Sequence, residues 1–128
     1  MIDHIGLAVR DFDASRAFYD AALAPLGYAV CKEVTAAMTG GSRHAGYGPE
    51  GKPQFWIGTG GSAGGPVHVA FEARNRGEVY AFHAAAMAAG ARDNGAPGIR
   101  AHYHPDYYGA FVLDPDGNNI EAVCHGPA

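Results

Sequence analysis

The sequence predicts an α+β protein in which one motif, a strand, a helix and then two or three further strands, occurs twice. Sliding the chain over itself by 64 positions sets HIGLAVRDFDASRAFYDAALA, His4 to Ala24, on HVAFEARNRGEVYAFHAAAMA, His68 to Ala88, without a gap. The pairs His4/His68, Arg10/Arg74 and Phe18/Phe82 coincide at that offset inside the same succession of hydrophobic patterns, which is how an internal repeat shows itself. A length of 128 residues and an apolar content of 48% suit one compact domain, or two small modules sharing a core.

Each copy opens with an alternating run. In DHIGLAV the side chains of Ile5, Leu7 and Val9 make a bulky face, and in VHVAFEA those of Val69, Phe71 and Ala73 do so; alternation puts His4, Gly6 and Ala8, or His68, Ala70 and Glu72, on the other side. A helix follows each strand. DFDASRAFYDAALAP starts on an aspartate cap and ends near Pro25 and Gly27, and GEVYAFHAAAMAAG ends at Gly90; Phe18/Phe82 and Leu23/Met87 fall at core positions. Extended pieces bounded by turn residues come next: YAVCKEV, SRHAGYG and QFWIG in the first half, YYGAFVL, NIEAVCH and a poorly defined GIRAHYH region in the second. GTGGSAGGP, Gly58 to Pro66, reads as a flexible connection, giving modules at 1–60 and 67–128 with a linker at 61–66. Its glycines lack the spacing of a phosphate loop, and no Lys-Ser/Thr follows them.

The closing stretch LDPDGNNIEAVCH sets a tight turn before an apolar run that carries Glu121. In a strand, Asn119, Glu121 and Val123 face one way and Ile120, Ala122 and Cys124 the other. Either the Glu121 face meets water or something on it wants a carboxylate. His4 and His68 sit at equivalent places beside small residues, so related strands would turn both imidazoles toward one cavity with room for a ligand. A strand histidine alone is more often hydrogen-bonded than metal-bound. The symmetry of the pair and the strand position of Glu121 are what point to a ligand set, because two imidazoles and one carboxylate bind a borderline divalent ion and leave positions open for water or substrate.

DHIGLAV, VHVAFEA and the closing DPDGNNIEAV, in two such modules, resemble the vicinal oxygen chelate superfamily of glyoxalase I, fosfomycin and bleomycin resistance proteins and extradiol dioxygenases. The resemblance covers nearly the whole chain. It implies two βαβββ modules forming a curved mixed sheet around a cleft, and a divalent ion (Ni, Mn, Fe, Co or Zn) held by His4, His68 and Glu121. It also implies a homodimer in which the first module of one chain meets the second of its partner. Glyoxalase I carries a further carboxylate on the last strand of the first module. Aligning Pro49 and Gly51 with Pro115 and Gly117 puts Phe55 there, with Gln54 and Trp56 on either side, which argues against lactoylglutathione lyase activity.

The segment AHYHPDYYGAF crowds donors and aromatic faces between Pro105 and Gly109 and reads as a loop over the cavity or as a packed turn. Tyr107 and His104 are the candidate proton-handling residues; His102, Tyr108 and Trp56 are candidate substrate contacts. The expected function is a glyoxalase-like, metal-dependent lyase, isomerase or transferase acting on a small oxygen-chelating molecule. The rival readings are a bleomycin-resistance-like binding protein, for which the acidic balance would suit a cationic ligand, and an extradiol-type dioxygenase. A net charge of −4 with nine scattered Lys and Arg argues against nucleic acid. No stretch approaches the roughly 18 apolar residues of a membrane span, and two cysteines, Cys31 and Cys124, form no disulfide framework. These features suit a cytoplasmic protein whose partners are small molecules and its own copies.

Overall fold

A computed structural model describes residues 1–61 and 64–127. The first module runs β1 (Ile5–Ala8), α1 (Phe12–Leu23), β2 (Ala29–Val34), a single helical turn α2 (Ala36–Thr39), β3 (His44–Gly48) and β4 (Phe55–Gly58). The second runs β5 (His68–Glu72), α3 (Arg76–Ala88), β6 (Arg92–Ile99), β7 (Tyr108–Leu113) and β8 (Asn119–Cys124). The strands form two four-stranded mixed sheets of identical topology, ordered β1-β4-β3-β2 and β5-β8-β7-β6. In each, the first strand lies parallel to the last and the other pairings are antiparallel. The repeat in the sequence is thus a repeat in space. Ser62 and Ala63 of the expected linker lie outside the described residues.

Local chemistry sets the helix starts. The Asp11 side chain accepts from the Ala14 amide at 3.0 Å and Asn75 from the Glu78 amide at 2.9 Å, and each cap is worth about 1 kcal/mol. The helices pack on each other and on one face of each sheet, burying Phe18, Tyr19, Leu23, Phe55, Phe71, Val79 and Phe82. Phe18 and Phe82 take the core positions expected of them. Met87 does not share the burial of Leu23, lying 37% exposed. No helix among the described residues is long and apolar enough to cross a membrane.

The strand sought in the GIRAHYH region lies earlier, at Arg92–Ile99, and residues 101–103 form a turn. Its sequence, RDNGAPGI, hides it because the register with β7 breaks twice, between Asp93 and Gly95 and between Gly95 and Gly98. Such bulges erase alternation, and Pro97 is tolerated because β6 is an edge strand.

The closing turn fastens the two modules together. Asp114 is buried and accepts from the Asp116 amide at 2.9 Å, the Asn118 amide at 2.8 Å, the Asn118 side chain at 3.0 Å and the Tyr19 hydroxyl of α1. Burial first, then the charge of Asp114, holds the Tyr19 phenol well above its ordinary range. From the same turn, Asn118 Oδ1 accepts from the Val67 amide at 3.0 Å, the Asn119 amide donates to the Val67 carbonyl at 2.9 Å, and Asp116 accepts from the Arg10 amide at 3.2 Å. The turn therefore locks the entry of β5 and the exit of β1 to the start of β8, and so fixes where Glu121 stands.

Candidate functional site

Strand pairing decides which side chains share a surface. β5 and β8 run parallel with His68 opposite Asn119 and Ala70 opposite Glu121; β7 sets Phe111 opposite Glu121 and Gly109 opposite Val123. The sheet face turned away from the helices therefore carries His68, Ala70, Glu121, Gly109 and Phe111. Glu121 is fully buried, while the His68 side chain is 51% exposed. Their contact, His68 Nε2 to Glu121 Oε1, is 2.8 Å, and the Tyr107 hydroxyl donates to Glu121 Oε2. A carboxylate withdrawn from water needs partners on both oxygens, and here it has them. Burial and the bond to Glu121 push the Tyr107 phenol up to about 12, so Tyr107 remains a proton donor at neutral pH.

Glycine makes this arrangement possible. A Cβ on Gly109 would stand 3.2 Å from Tyr107 Cε1 and 3.3 Å from Glu121 Oε2, tighter than ordinary van der Waals contact. Phe111 flanks the site with its ring centroid 6.2 Å from that of His68.

The other expected residues are distributed around and beyond this pair. Tyr108, adjacent to Tyr107, faces the opposite way, with the Arg76 guanidinium 5.1 Å from its ring. Only Tyr107 reaches Glu121, as alternation requires of neighbours in a strand. His104 accepts the Asp106 amide on Nδ1 at 3.0 Å and lies 5.9 Å, centroid to centroid, from His125, whose ring meets Tyr107 edge-on at 5.1 Å. The His102 ring lies tilted by 46° against that of Tyr103, with centroids 4.1 Å apart.

His4 stands just before β1 of the other sheet, beside a cavity of about 590 Å³ lined also by Tyr28, Gln54 and Ala70. Its Nδ1 contacts Asp3 Oδ1 at 2.8 Å, and Asp3, held below the usual carboxylate range mainly by Lys52 and then by His4, completes an exposed cluster. No group of three or more His, Cys, Asp or Glu side chains among the described residues is placed to hold one metal ion within a single chain. The structure thus brings together His68, Glu121 and Tyr107, and leaves His4 apart.

The equivalent of Glu121 in the first module is not Phe55. Gly6 lies opposite Trp56 as Ala70 lies opposite Glu121, because the first turn has one residue more between its glycine and its strand. Phe55 is a core aromatic, 5.0 Å from Tyr19 and 5.1 Å from Phe71. Gln54 accepts the Tyr28 hydroxyl at 3.2 Å. Trp56 lies over Gly46, whose added Cβ would come within 3.0 Å of indole atoms, and lines a shallow pocket with Gly6, Ala8 and His44.

The profile of the Glyoxalase/Bleomycin resistance protein/Dioxygenase superfamily matches residues 1–122. The chain belongs to that superfamily. A glyoxalase/bleomycin resistance protein from Albidiferax ferrireducens T118 shares 30% identity over 98% of each chain, with a TM-score of 0.75. Two more distant structures share the fold: a family enzyme from Burkholderia phytofirmans PsJN (21% identity, 98% of each chain, TM-score 0.68) and glyoxalase I from Zea mays (19%, TM-score 0.71). The alignment takes in 96% of this chain but 45% of the maize enzyme. No curated protein matches significantly. Superfamily membership supports the two-module architecture; fold alone does not assign a reaction.

The His68–Glu121 pair fits a divalent ion. Two donors each about 2.1 Å from one ion and at right angles to it stand about 3 Å apart, close to the 2.8 Å observed, and imidazole with carboxylate is a donor set for Ni, Mn, Fe, Co or Zn. Two residues important to this geometry were not singled out by sequence reasoning: Asp114, visible only as part of the closing motif, and Gly109, visible only as the end of a loop.

Proposed function

We propose that this protein is a divalent-metal-dependent enzyme of the vicinal oxygen chelate type, acting on a small substrate that offers neighbouring oxygens. The observation that carries the reading is the buried Glu121 with one oxygen 2.8 Å from His68 Nε2 and the other bonded to Tyr107. His68 and Glu121 would hold the ion together with His4 of a second copy, since His4 of the same chain stands just before β1 of the other sheet. When bound, the ion would supply Lewis-acid polarisation of a substrate oxygen.

The remaining work belongs to side chains of this chain. Tyr107 fixes the orientation of the Glu121 carboxylate and presents a neutral hydroxyl beside it, an arrangement typical of the outer support of a metal ligand. His104 commits Nδ1 to the Asp106 amide and keeps Nε2 for proton exchange. Phe111 stands beside His68 on the second sheet, and His102 and Tyr103 line the adjoining pocket with it. Trp56, with Gly6 and Gly46 around it, offers the opposite sheet an aromatic surface where a substrate contacts the first module; with tryptophan at the register place of Glu121, the first module adds no carboxylate there.

A second reading, a binding protein without catalysis, is favoured by the direct bonds that His68 and Tyr107 already make to Glu121, which satisfy the carboxylate within the protein. Subunit complementation separates the two. His4→Ala and His68→Ala chains, each unable to hold metal alone, are expected to regain about a quarter of the metal of the wild type when mixed in equal amounts and refolded together, because about half of the dimers are mixed and each mixed dimer has one of its two sites intact. Failure of the mixture to regain metal, or a monomeric mass by light scattering, would overturn the shared site. A ligand held without metal and recovered chemically unchanged would favour the binding protein.

A further inference from the structure

Most cations of the chain have an evident partner. Arg10, Arg16, Arg43, Lys52, Arg74 and Arg76 each meet a carboxylate, and Lys32 and Arg92 are exposed. Arg100 is different: it is half-buried, and no carboxylate lies within ion-pair distance among the described residues. Partly withdrawing a guanidinium from water without an anion costs free energy unless hydrogen bonds or a ligand offset it.

The fold makes room for it. Arg100 Nη1 donates to the Gly98 carbonyl and Nη2 to the Ala96 carbonyl, both at 2.8 Å. Gly95, at φ +150°, and Gly98 lie beneath it, where an added Cβ would come within 3.0 Å of Nη2 and 3.3 Å of Nη1 respectively. These are the glycines at which β6 loses register with β7, so the bulges that break the strand also seat the guanidinium. Its carbon lies 5.2 Å from the centroid of Phe111, whose ring neighbours His68. Of the five N–H donors on a guanidinium, two are used on carbonyls, leaving three for a ligand. Around it, Asn94, His102, Tyr103, Phe111 and Asn119 line a pocket of about 390 Å³ that contains no carboxylate. Asn94 Nδ2 donates to Asn119 Oδ1 at 3.1 Å, on the strand that carries Glu121.

We propose that Arg100 is the anion-recognising residue of the substrate site, binding a carboxylate or phosphate group of a substrate whose reacting oxygens lie at His68 and Glu121. This rests on the site assigned above and adds to it the charge of the substrate: anionic, in an acidic protein, rather than the cationic ligand that net charge alone would suit. Planar guanidinium recognises either oxyanion through paired N–H···O bonds.

The test uses the metal-free protein, so that it succeeds or fails independently of metal binding. Inorganic phosphate and acetate are titrated at constant ionic strength into the wild type, Arg100→Gln and Arg100→Lys, following backbone amide resonances. Saturable shifts at Gly95, Phe111 and Asn119 are expected in the wild type, weakened about tenfold or more in Arg100→Gln. Arg100→Lys, which keeps the charge but cannot make the paired N–H···O bonds, is expected to bind more weakly than the wild type and more tightly than Arg100→Gln. Which of the two anions saturates at lower concentration identifies the oxyanion class. Non-saturating shifts in the wild type, or equal binding by wild type and Arg100→Gln, would overturn the proposal and leave Arg100 as a clasp for the β6 bulges.

Discussion

Replacing Asp114 by alanine is expected to cost far more than an average turn substitution. The side chain is buried and accepts four hydrogen bonds, from the amides of Asp116 and Asn118, from the Asn118 side chain and from the Tyr19 hydroxyl. Asn118 and Tyr19 are themselves buried, so three of those donors would lose their acceptor in a place water reaches poorly. At roughly 1 kcal/mol or more for each donor stranded, the loss sums to about 3–5 kcal/mol, a large share of the roughly 5–15 kcal/mol that stabilises a domain. At about 4 °C per kcal/mol, the melting temperature should fall by about 12–20 °C. Asp114→Asn keeps one carbonyl oxygen and should lose about half as much. Urea and thermal unfolding followed by circular dichroism measure both, and a double-mutant cycle with Tyr19→Phe should reveal coupling above about 0.5 kcal/mol. A loss below about 1 kcal/mol for Asp114→Ala, or equal losses for the two variants, would refute the view that this carboxylate holds the turn.

Three further outcomes are expected. The Tyr107 phenol should ionise near pH 12, so a tyrosinate absorbance step near that pH should be present in the wild type and absent in Tyr107→Phe. Because its folded-state value is raised, any stability it lends is present below pH about 10 and is lost as pH climbs toward 12; a step near 10 in the difference between the wild type and Tyr107→Phe would contradict the bond to Glu121. Gly109→Ala should destabilise the fold by about 1–3 kcal/mol by crowding Tyr107 and Glu121, and unchanged urea midpoints would show that the space is not needed. Under the proposed function, Tyr107→Phe and His104→Ala should keep the metal and lose turnover, whereas unaltered kinetics would remove either residue from the chemistry.

Much of this was legible in the chain because strands and helices repeat with fixed periods. Alternation sets His68 beside the small Ala70 in its own strand and turns Glu121 away from Ile120, Ala122 and Cys124 in its own, and the paired histidines reveal the duplicated module; that the two share a face follows from the pairing of β5 with β8. The closing motif announced a turn followed by Glu121. What escaped lies where register, rather than pattern, decides. Trp56 replaced Phe55 at the position equivalent to Glu121 through one extra turn residue, a shift that turns a core ring into a surface one. Tyr107 could be seen as a candidate, but its bond to Glu121 arises from pairing between β7 and β8. Arg100 gave no signal, because the bulges that seat it are the features that hide β6 among Gly and Pro residues. Asp114 sat in plain view within the motif, yet its buried contact with Tyr19, 95 positions away, belongs to the packing of one module on the other.

Under the proposed function, His68 and Glu121 form the second-module half of a metal site. Elemental analysis of the purified protein, stripped and then reloaded separately with nickel, manganese, iron, cobalt or zinc, tests it beside His68→Ala. One ion per chain in the wild type and almost none in the variant is the expected result. No bound metal in the wild type, or the same content in both proteins, would contradict the claim and leave a metal-free binding module as the better description.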